Sequence, residues 1–302
     1  MRWSSVFVLP GWLRVWWSEF GDASNLYLCS VWEEEKLIGI APLLRNGKTA
    51  SFIGSADVCD YQDFIITPGK ENDFFRVMLN HFIQDDISCL DLRPVRPEST
   101  VLSVLARLAQ DQGLGVTSEP DGITLELDLP STWDEYLMLL KGKQRHEVKR
   151  KLRRLHEAAE VNYRVVSELG AIKQEMDVFL ELFRESREDK TSFMTAQMES
   201  FFRAVSLSLA EIKILRLCFL ELDGLPAAAV FCFEYNGTLY LYNSGYDLKF
   251  RALSAGVLCK VLSIKDSIQK GMKKYDFLKG AEAYKHRLGG KEVPLSRCQI
   301  QL

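Results

Sequence analysis

Asn236–Lys285 reads NGTLYLYNSGYDLKFRALSAGVLCKVLSIKDSIQKGMKKYDFLKGAEAYK, and this stretch decides the fold. Asn236-Gly237 is a two-residue hairpin signal, because both central residues of a type I′ turn need positive φ. Leu239 to Asn243 alternates Leu and Tyr with period two, which predicts a strand occupied on both faces. After Ser244-Gly245 comes a loop ending in Leu253-Ser254-Ala255-Gly256. Ser254 is placed to cap a helix whose apolar positions are Val257, Leu258, Val261, Leu262, Ile264 and Ile268. Gly271 ends that helix, and Tyr275 to Leu278 forms a short second strand.

A strand that delivers small residues to a helix N-terminus makes a ready anion site. The first-turn amides have no intrahelical acceptor, and the macrodipole adds roughly half a positive charge there. The same residues also fit an ordinary loop-to-helix connection. No Gly-Lys-Ser/Thr follows, so this is not a P-loop, and the three glycines of a dinucleotide fingerprint are missing.

Outward from this stretch, the same order of elements occurs twice. In the second half, Ile212 to Leu222 and Pro226 to Tyr235 flank Asp223-Gly224, another hairpin signal. In the first half, Leu26 to Trp32 and Leu37 to Leu44 flank Glu33 to Lys36. Strands follow at Ala50 to Gly54 and Gln62 to Ile66, then a helix with Phe74, Val77, Met78, His81 and Phe82. A strand at Cys89 to Leu92 and a helix over Val101 to Gln112 complete the half, with His81 expected in the core. An opening helix is marked by Trp12, Val15, Trp16 and Phe20 between Pro10 and Gly21, and its spacing suits core packing. Hairpin, strand, helix, strand, helix recurs at an offset of about 185 residues. This predicts an α/β fold (α+β mixed sheet) of two similar domains, residues 1–128 and 129–302. Thr67-Pro68-Gly69 stands where the second half has Arg251 to Gly256. Proline withholds an amide there, so a single anion site, in the second half, is expected.

Between the repeats, Ser131 or Thr132 with Asp134-Glu135 reads as a capped helix start. Lys141 to Arg154 then holds eight Lys/Arg against one Glu in fourteen residues. Such a run is either a solvated helix face or a contact for an anion: a CoA phosphate, an acidic glycan, anionic lipid or tRNA. Gly142 weakens a helix by about 1 kcal/mol, which predicts a break or bend there.

The totals set outer limits. A chain of 302 residues makes one large domain or two of about half that size, either able to bury a core. Its 47% apolar and 26% charged residues are those of a globular protein, and the net charge of −3 argues against duplex DNA as a partner. The seven scattered cysteines and four histidines contain no Cys-x-x-Cys pair, which argues against a zinc site and for core thiols in a cytoplasmic protein. No apolar run reaches the roughly 18 residues a membrane span needs.

Arg251-Ala-Leu-Ser254-Ala-Gly256 resembles the Gln/Arg-x-x-Gly-x-Gly/Ala pyrophosphate loop of the GNAT acyltransferases, with Ser254 in place of the first glycine. Asn243-Ser-Gly-Tyr-Asp247, Ser254-Ala-Gly256 and Asp276-Phe-Leu-Lys-Gly-Ala-Glu-Ala-Tyr-Lys285 resemble the CelD/BcsL-type acetyltransferases. These are GNAT-related proteins linked to cellulose and exopolysaccharide production and relatives of the FemABX peptidyltransferases. The likeness extends to Trp133-Asp-Glu-Tyr136, Lys143-x-Arg145 and Ala41-Pro-Leu43. It implies a tandem pair of GNAT-like domains and acetyl-CoA or another acyl-CoA as co-substrate, without a metal. The acceptor would be an amine or hydroxyl of a sugar, polysaccharide precursor or small metabolite.

Acyl transfer needs a bound donor, a polarised carbonyl and a route for protons. The amides of Ala255, Gly256 and Val257, with Arg251 and Ser254, would hold the pyrophosphate. The resemblance places carbonyl-polarising amides near Asn243, Ser244 and Gly245. It also implies Tyr284 as acid toward the leaving thiolate; from its place beside the strand ends Glu282 is the candidate base, directly or through water, with Asp276 and Lys285 as further catalytic candidates. Lys143, Arg145 and Asp247 are candidate substrate contacts. Two alternatives stand beside this reading: a FemABX-like transferase using aminoacyl-tRNA, and a scaffold without turnover.

Overall fold

The computed structural model describes residues 3–22, 25–55, 57–186 and 188–302, and the side chains of residues 188 and 189 are outside the description. The chain forms two compact units, residues 1–123 with 293–302, and residues 124–292.

The first unit opens with α1 (Pro10–Phe20), which buries Trp12 and Trp16 as its spacing predicts. The hairpin β1 (Leu26–Glu33) and β2 (Lys36–Asn46) follows, then β3 (Thr49–Phe52) and the two-residue β4 (Ile65–Ile66). The strand expected from Gln62 is shorter because its start is held otherwise. Gln62 N–H donates to Pro94 O (3.0 Å), and Asp63 accepts from the Phe64 amide (2.9 Å) and from the Thr100 hydroxyl and amide (2.6 and 2.9 Å). Next come α2 (Glu71–Gln84), β5 (Cys89–Val95), a π-helical turn at Val101–Leu105 and α3 (Ala106–Asp111). His81 is exposed rather than in the core, stacked on Tyr27 with centroids 6.2 Å apart. It falls on the edge of the apolar stripe, where period alone does not decide burial. β3 and β5 run parallel around α2, and the last residues of the chain pair antiparallel with β5, from Ser296↔Val95 to Gln301↔Cys89. Residues 293–302 therefore join the first unit, where the sequence reading counts them with the second.

The strand β6 (Gly115–Asp128) supplies Thr124 to Asp128 to the second unit. There, Thr132 caps α4 (Trp133–Leu139) in a full capping box with Glu135. The basic helix α5 (Gly142–Ala158) begins at Gly142, so the expected break becomes a helix start. β7 (Val161–Val166), α6 (Leu169–Glu185), α7 (Glu188–Phe193) and α8 (Ala196–Glu211) come next. Then follow β8 (Leu215–Leu222), β9 (Leu225–Tyr235), β10 (Thr238–Tyr246), α9 (Ala255–Gln269), β11 (Lys274–Lys279) and α10 (Ala283–Arg287). The closing strand is β12 (Lys291–Gln301). Both predicted hairpin turns form, with positive φ at Asp223-Gly224 and Asn236-Gly237.

The strand order in the second unit is β6-β11-β10-β9-β8-β7, and β10–β11 is the parallel pair. Each unit thus has an antiparallel hairpin, a third strand, a helix, a parallel strand and an antiparallel closing strand. The closing strands are exchanged in sequence: β6 closes the second unit and β12 the first. The result is a mixed α/β architecture. Of the seven free cysteines five are buried, as core thiols.

Candidate active site

β10 and β11 are partners only from Thr238↔Lys274 to Tyr240↔Asp276. Beyond that, a bulge between Leu241 and Asn243 lets β10 continue along β9 to Tyr246↔Ala228. A bulge adds local twist, and it turns β10 away from β11. On the other side, β11 is irregular between Asp276 and Lys279, and Leu278 takes φ +59°. The edge of β10 facing β11 is therefore released near Asn243 and Ser244. Ser244 O there accepts from Lys190, whose ammonium lies 4.6 Å from the Phe183 ring. Gly245 serves packing: a Cβ would stand 2.6 Å from Leu182 O, so its bareness lets the backbone of α6 approach β10.

Asp247 caps the short 3-10 turn Leu248–Leu253, accepting from the Lys249 amide (2.8 Å). One of its carboxylate oxygens is thus engaged within the loop. Ser254 takes φ +61°, ψ +34°, the left-handed conformation that glycine favours. It stands where the loop pattern it resembles has its first glycine and takes a glycine's conformation, and its hydroxyl makes no cap bond. Instead Ser254 O accepts from Val257 (3.0 Å) and Leu258 (3.0 Å). The Val257 amide is consequently engaged, which removes it from the expected phosphate cradle. The N–H groups of Ala255 and Gly256 have no acceptor among the described residues. Gly256 is needed there, since a Cβ would lie 2.9 Å from Tyr246 Cδ1. Arg251 is exposed and has no ion pair among the described residues. At the corresponding start of α2, Glu71 and Asp73 already complement the helix dipole, whereas the first turn of α9 has no acid.

The Asp276-to-Lys285 segment closes the site. Asp276 is buried, and its Oδ1 accepts from Thr124 Oγ1 (3.1 Å) and the Leu278 amide (2.8 Å), holding the left-handed residue in place. Lys285 is buried too, and Nζ donates to Leu278 O (3.0 Å), Lys279 O (2.7 Å) and Gly280 O (3.2 Å). Three carbonyls fill an ammonium's three donors, so Lys285, like Asp276, holds this turn in shape. Glu282 is exposed just before α10 and pairs with Lys285 at 3.0 Å. Tyr284 is half-buried, edge-on to Phe277 with centroids 6.5 Å apart, and its hydroxyl has no partner among the described residues. Burial pushes its phenol well above the usual range.

Sequence reasoning missed Lys260. It lies one turn beyond Gly256 on α9, buried, with Nζ donating to Gly256 O (3.0 Å) and 4.9 Å from the Tyr284 ring. Burial lowers its pKa to about 8. The i, i+4 spacing of Gly256 and Lys260 was available as a signal. Lys143 and Arg145 sit near the start of α5, and Arg145 reaches Met138 Sδ at 3.2 Å. Within the basic run, Arg150 and Lys151 pair with Glu147 and Arg153 with Glu157. Lys143, Lys149 and Arg154 have no ion pair among the described residues. No group of three or more His, Cys, Asp or Glu suited to a metal occurs among the described residues, and no helix is long and apolar enough to cross a membrane.

Residues 142–286 match the family model for the acetyltransferase (GNAT) domain. No sequence among the curated proteins matches. Among solved structures, FemX superposes with a TM-score of 0.66 at 11% identity, over 97% of this chain and 92% of that one. L-PGS from Bacillus licheniformis gives 0.56 at 12%, over 97% and 91%. A C-terminal domain assigned to a lysylphosphatidylglycerol synthetase of Agrobacterium fabrum gives 0.61 at 11%, over 91% and 84%. At these identities the structures speak for the fold. The stretch that matches the acetyltransferase (GNAT) domain model, residues 142–286, is the one that holds the released edge of β10 and the left-handed Ser254.

Proposed function

We propose that the second unit transfers an acyl group from acyl-CoA, acetyl-CoA in the simplest case, to an amine or hydroxyl by direct attack on the thioester. The carrying observation is the meeting of two features: acceptor-free amides at Ala255 and Gly256, and the edge of β10 released beside them. Arg251 and those amides would take the pyrophosphate, with Ser254 shaping the loop. The backbone around Asn243 and Ser244 would lie along the donor's arm, and Lys143 and Arg145 would take a further phosphate or an acidic acceptor. Glu282, on the exposed side, suits a base that deprotonates the acceptor directly or through water. Tyr284 keeps its proton through the physiological range and suits a hydrogen-bond donor to the thioester more than a source of protons. Asp276 and Lys285 position this pair. A sugar, polysaccharide precursor or small metabolite as acceptor follows the CelD/BcsL-type resemblance.

A second reading is aminoacyl transfer from charged tRNA. It is favoured by the ion-pair-free cations of α5 and by the likeness to FemX and to the lysylphosphatidylglycerol synthetase domain. Thermal shift with acetyl-CoA, longer acyl-CoAs and aminoacyl-tRNA separates the two. A ligand at one hundred times its Kd adds about 2.7 kcal/mol of stability. A shift with acyl-CoA that Gly256→Asp abolishes in calorimetry supports the first reading, and a shift with charged tRNA alone replaces it with the second.

A further inference from the structure

Lys260 is a buried ionisable group beside the site that the roles above leave unused. Only 6% of it is exposed, yet its ammonium has a single hydrogen-bond acceptor, Gly256 O, among the described residues. A lysine ammonium carries three donors, so two of the three are unfilled. A charge is costly to bury without partners, and an apolar residue would fill this place on α9 at less cost. Its position is specific. Lys260 lies on the same helix ridge as Gly256, whose amide is open to an anion, and its Nζ faces the ring of Tyr284. The groups around it are Cys259 on its own helix, Cys232 from β9, and Glu282, Tyr284 and Lys285 from the α10 segment.

We propose that Lys260 is a catalytic residue of this site, the group that protonates the sulfur leaving a bound acyl-CoA. This rests on the acyl-CoA reading above. The acceptor's nitrogen or oxygen bonds to the thioester carbon, and the C–S bond breaks. The sulfur keeps the bonding pair and takes a proton from Nζ. The acceptor's own proton passes to Glu282, directly or through water, and neutral Lys260 regains a proton from solvent. The proton affinities suit this transfer. Lys260 is lowered by burial to about 8, close to the ordinary thiol value near 8.5, so the proton moves almost level. The same burial raises Tyr284 far above that value, which makes the phenol the poorer acid.

The test uses acetyl-CoA with water as acceptor, reading thiol release against pH, and calorimetry for acetyl-CoA binding. Wild-type release is expected to fall as pH rises through about 8, where Lys260 loses its proton. Cys232, Cys259 and Tyr284 are all raised above their ordinary values by burial and titrate later. Lys260→Met removes a buried charge while keeping the stem's volume, so the fold is expected to hold. It should bind acetyl-CoA within about threefold of wild type, release thiol about 10²- to 10³-fold more slowly, and lack the fall near pH 8. Lys260→Arg keeps the charge but holds its proton throughout, so it should be slow and equally flat. A Lys260→Met protein with wild-type rate and the same pH limb overturns the proposal. So does one that loses binding while its rate at saturation is unchanged. A wild type that binds no acetyl-CoA overturns the donor reading itself, and the role of Lys260 with it.

Discussion

Two lysines separated by one short strand illustrate what burial does to a charge. Lys285 meets three carbonyls and Glu282, while Lys260 meets one carbonyl and the face of a ring. Replacing Lys285 by Met leaves Leu278 O, Lys279 O and Gly280 O without their donor. A loss of about 3 kcal/mol in urea unfolding is expected. Lys260→Met should act in the opposite direction. The folded value of about 8 lies below the ordinary lysine value of 10.5, so between those pH values the unfolded chain binds more protons. Stability therefore rises with pH through that window, by up to roughly 3 kcal/mol from this residue. The difference between wild type and Lys260→Met, measured by urea unfolding at pH 7.5 and 10, should shrink accordingly. For the exposed partner, Glu282→Gln should lower turnover about 10²- to 10⁴-fold with donor binding nearly intact. Tyr284→Phe removes one donated hydrogen bond and should cost about 10²-fold. Single-turnover rates at saturating donor check both, and wild-type rates in both would remove Glu282 and Tyr284 from the mechanism.

At the scale of elements, the site depends on how closely helices approach strands. α6 lies on β10 where Gly245 has no side chain, and the obstructing atoms are backbone atoms of Leu182 and Phe183. Gly245→Ala cannot be relieved by a side-chain rotation, and a loss above about 2 kcal/mol is expected by chemical unfolding. The basic helix makes the contrasting case. Lys143, Lys149 and Arg154 are exposed and take no part in ion pairs among the described residues, so they do little for stability. Reversing the three to Glu should shift the melting temperature by no more than about 2 °C, while weakening an anionic ligand strongly and in a salt-dependent way. Unchanged binding at low salt together with a collapse of stability would show that α5 is structural instead.

At the scale of the whole molecule, pH acts on a different group in the first unit. Asp63 is buried among the Thr100 and Phe64 donors, and desolvation raises its carboxyl from 3.8 to about 6. Between those values the folded state binds more protons than the unfolded one. Stability therefore falls as pH rises from about 4 to above 6, by roughly 3 kcal/mol from this residue. Thermal melts of wild type should be higher at pH 5 than at pH 7.5, and Asp63→Asn should flatten that difference.

What the sequence by itself determined was what short-range chemistry controls. Asn236-Gly237 and Asp223-Gly224 make their turns because two adjacent residues must tolerate positive φ. Thr132 with Glu135 starts α4, and the loop from Arg251 to Gly256 is recognisable because its chemistry is local. The repeat is legible for the same reason, since each hairpin-strand-helix-strand run is contiguous. Only the tertiary structure decided the matters that depend on distant partners. β6 and β12 close one another's units because edge pairing is satisfied across more than a hundred residues of chain. The carbonyl of left-handed Ser254 engages the Val257 amide, which no side-chain pattern announces. Lys285 looks in sequence like a catalytic neighbour of Tyr284 and is fixed by the carbonyls of a turn, whereas Lys260 looks like one polar residue of a helix and is buried beside the site. A lysine's sequence position gives its charge; its surroundings give its proton affinity and free donors, and those surroundings come from the packing of α9 and α10.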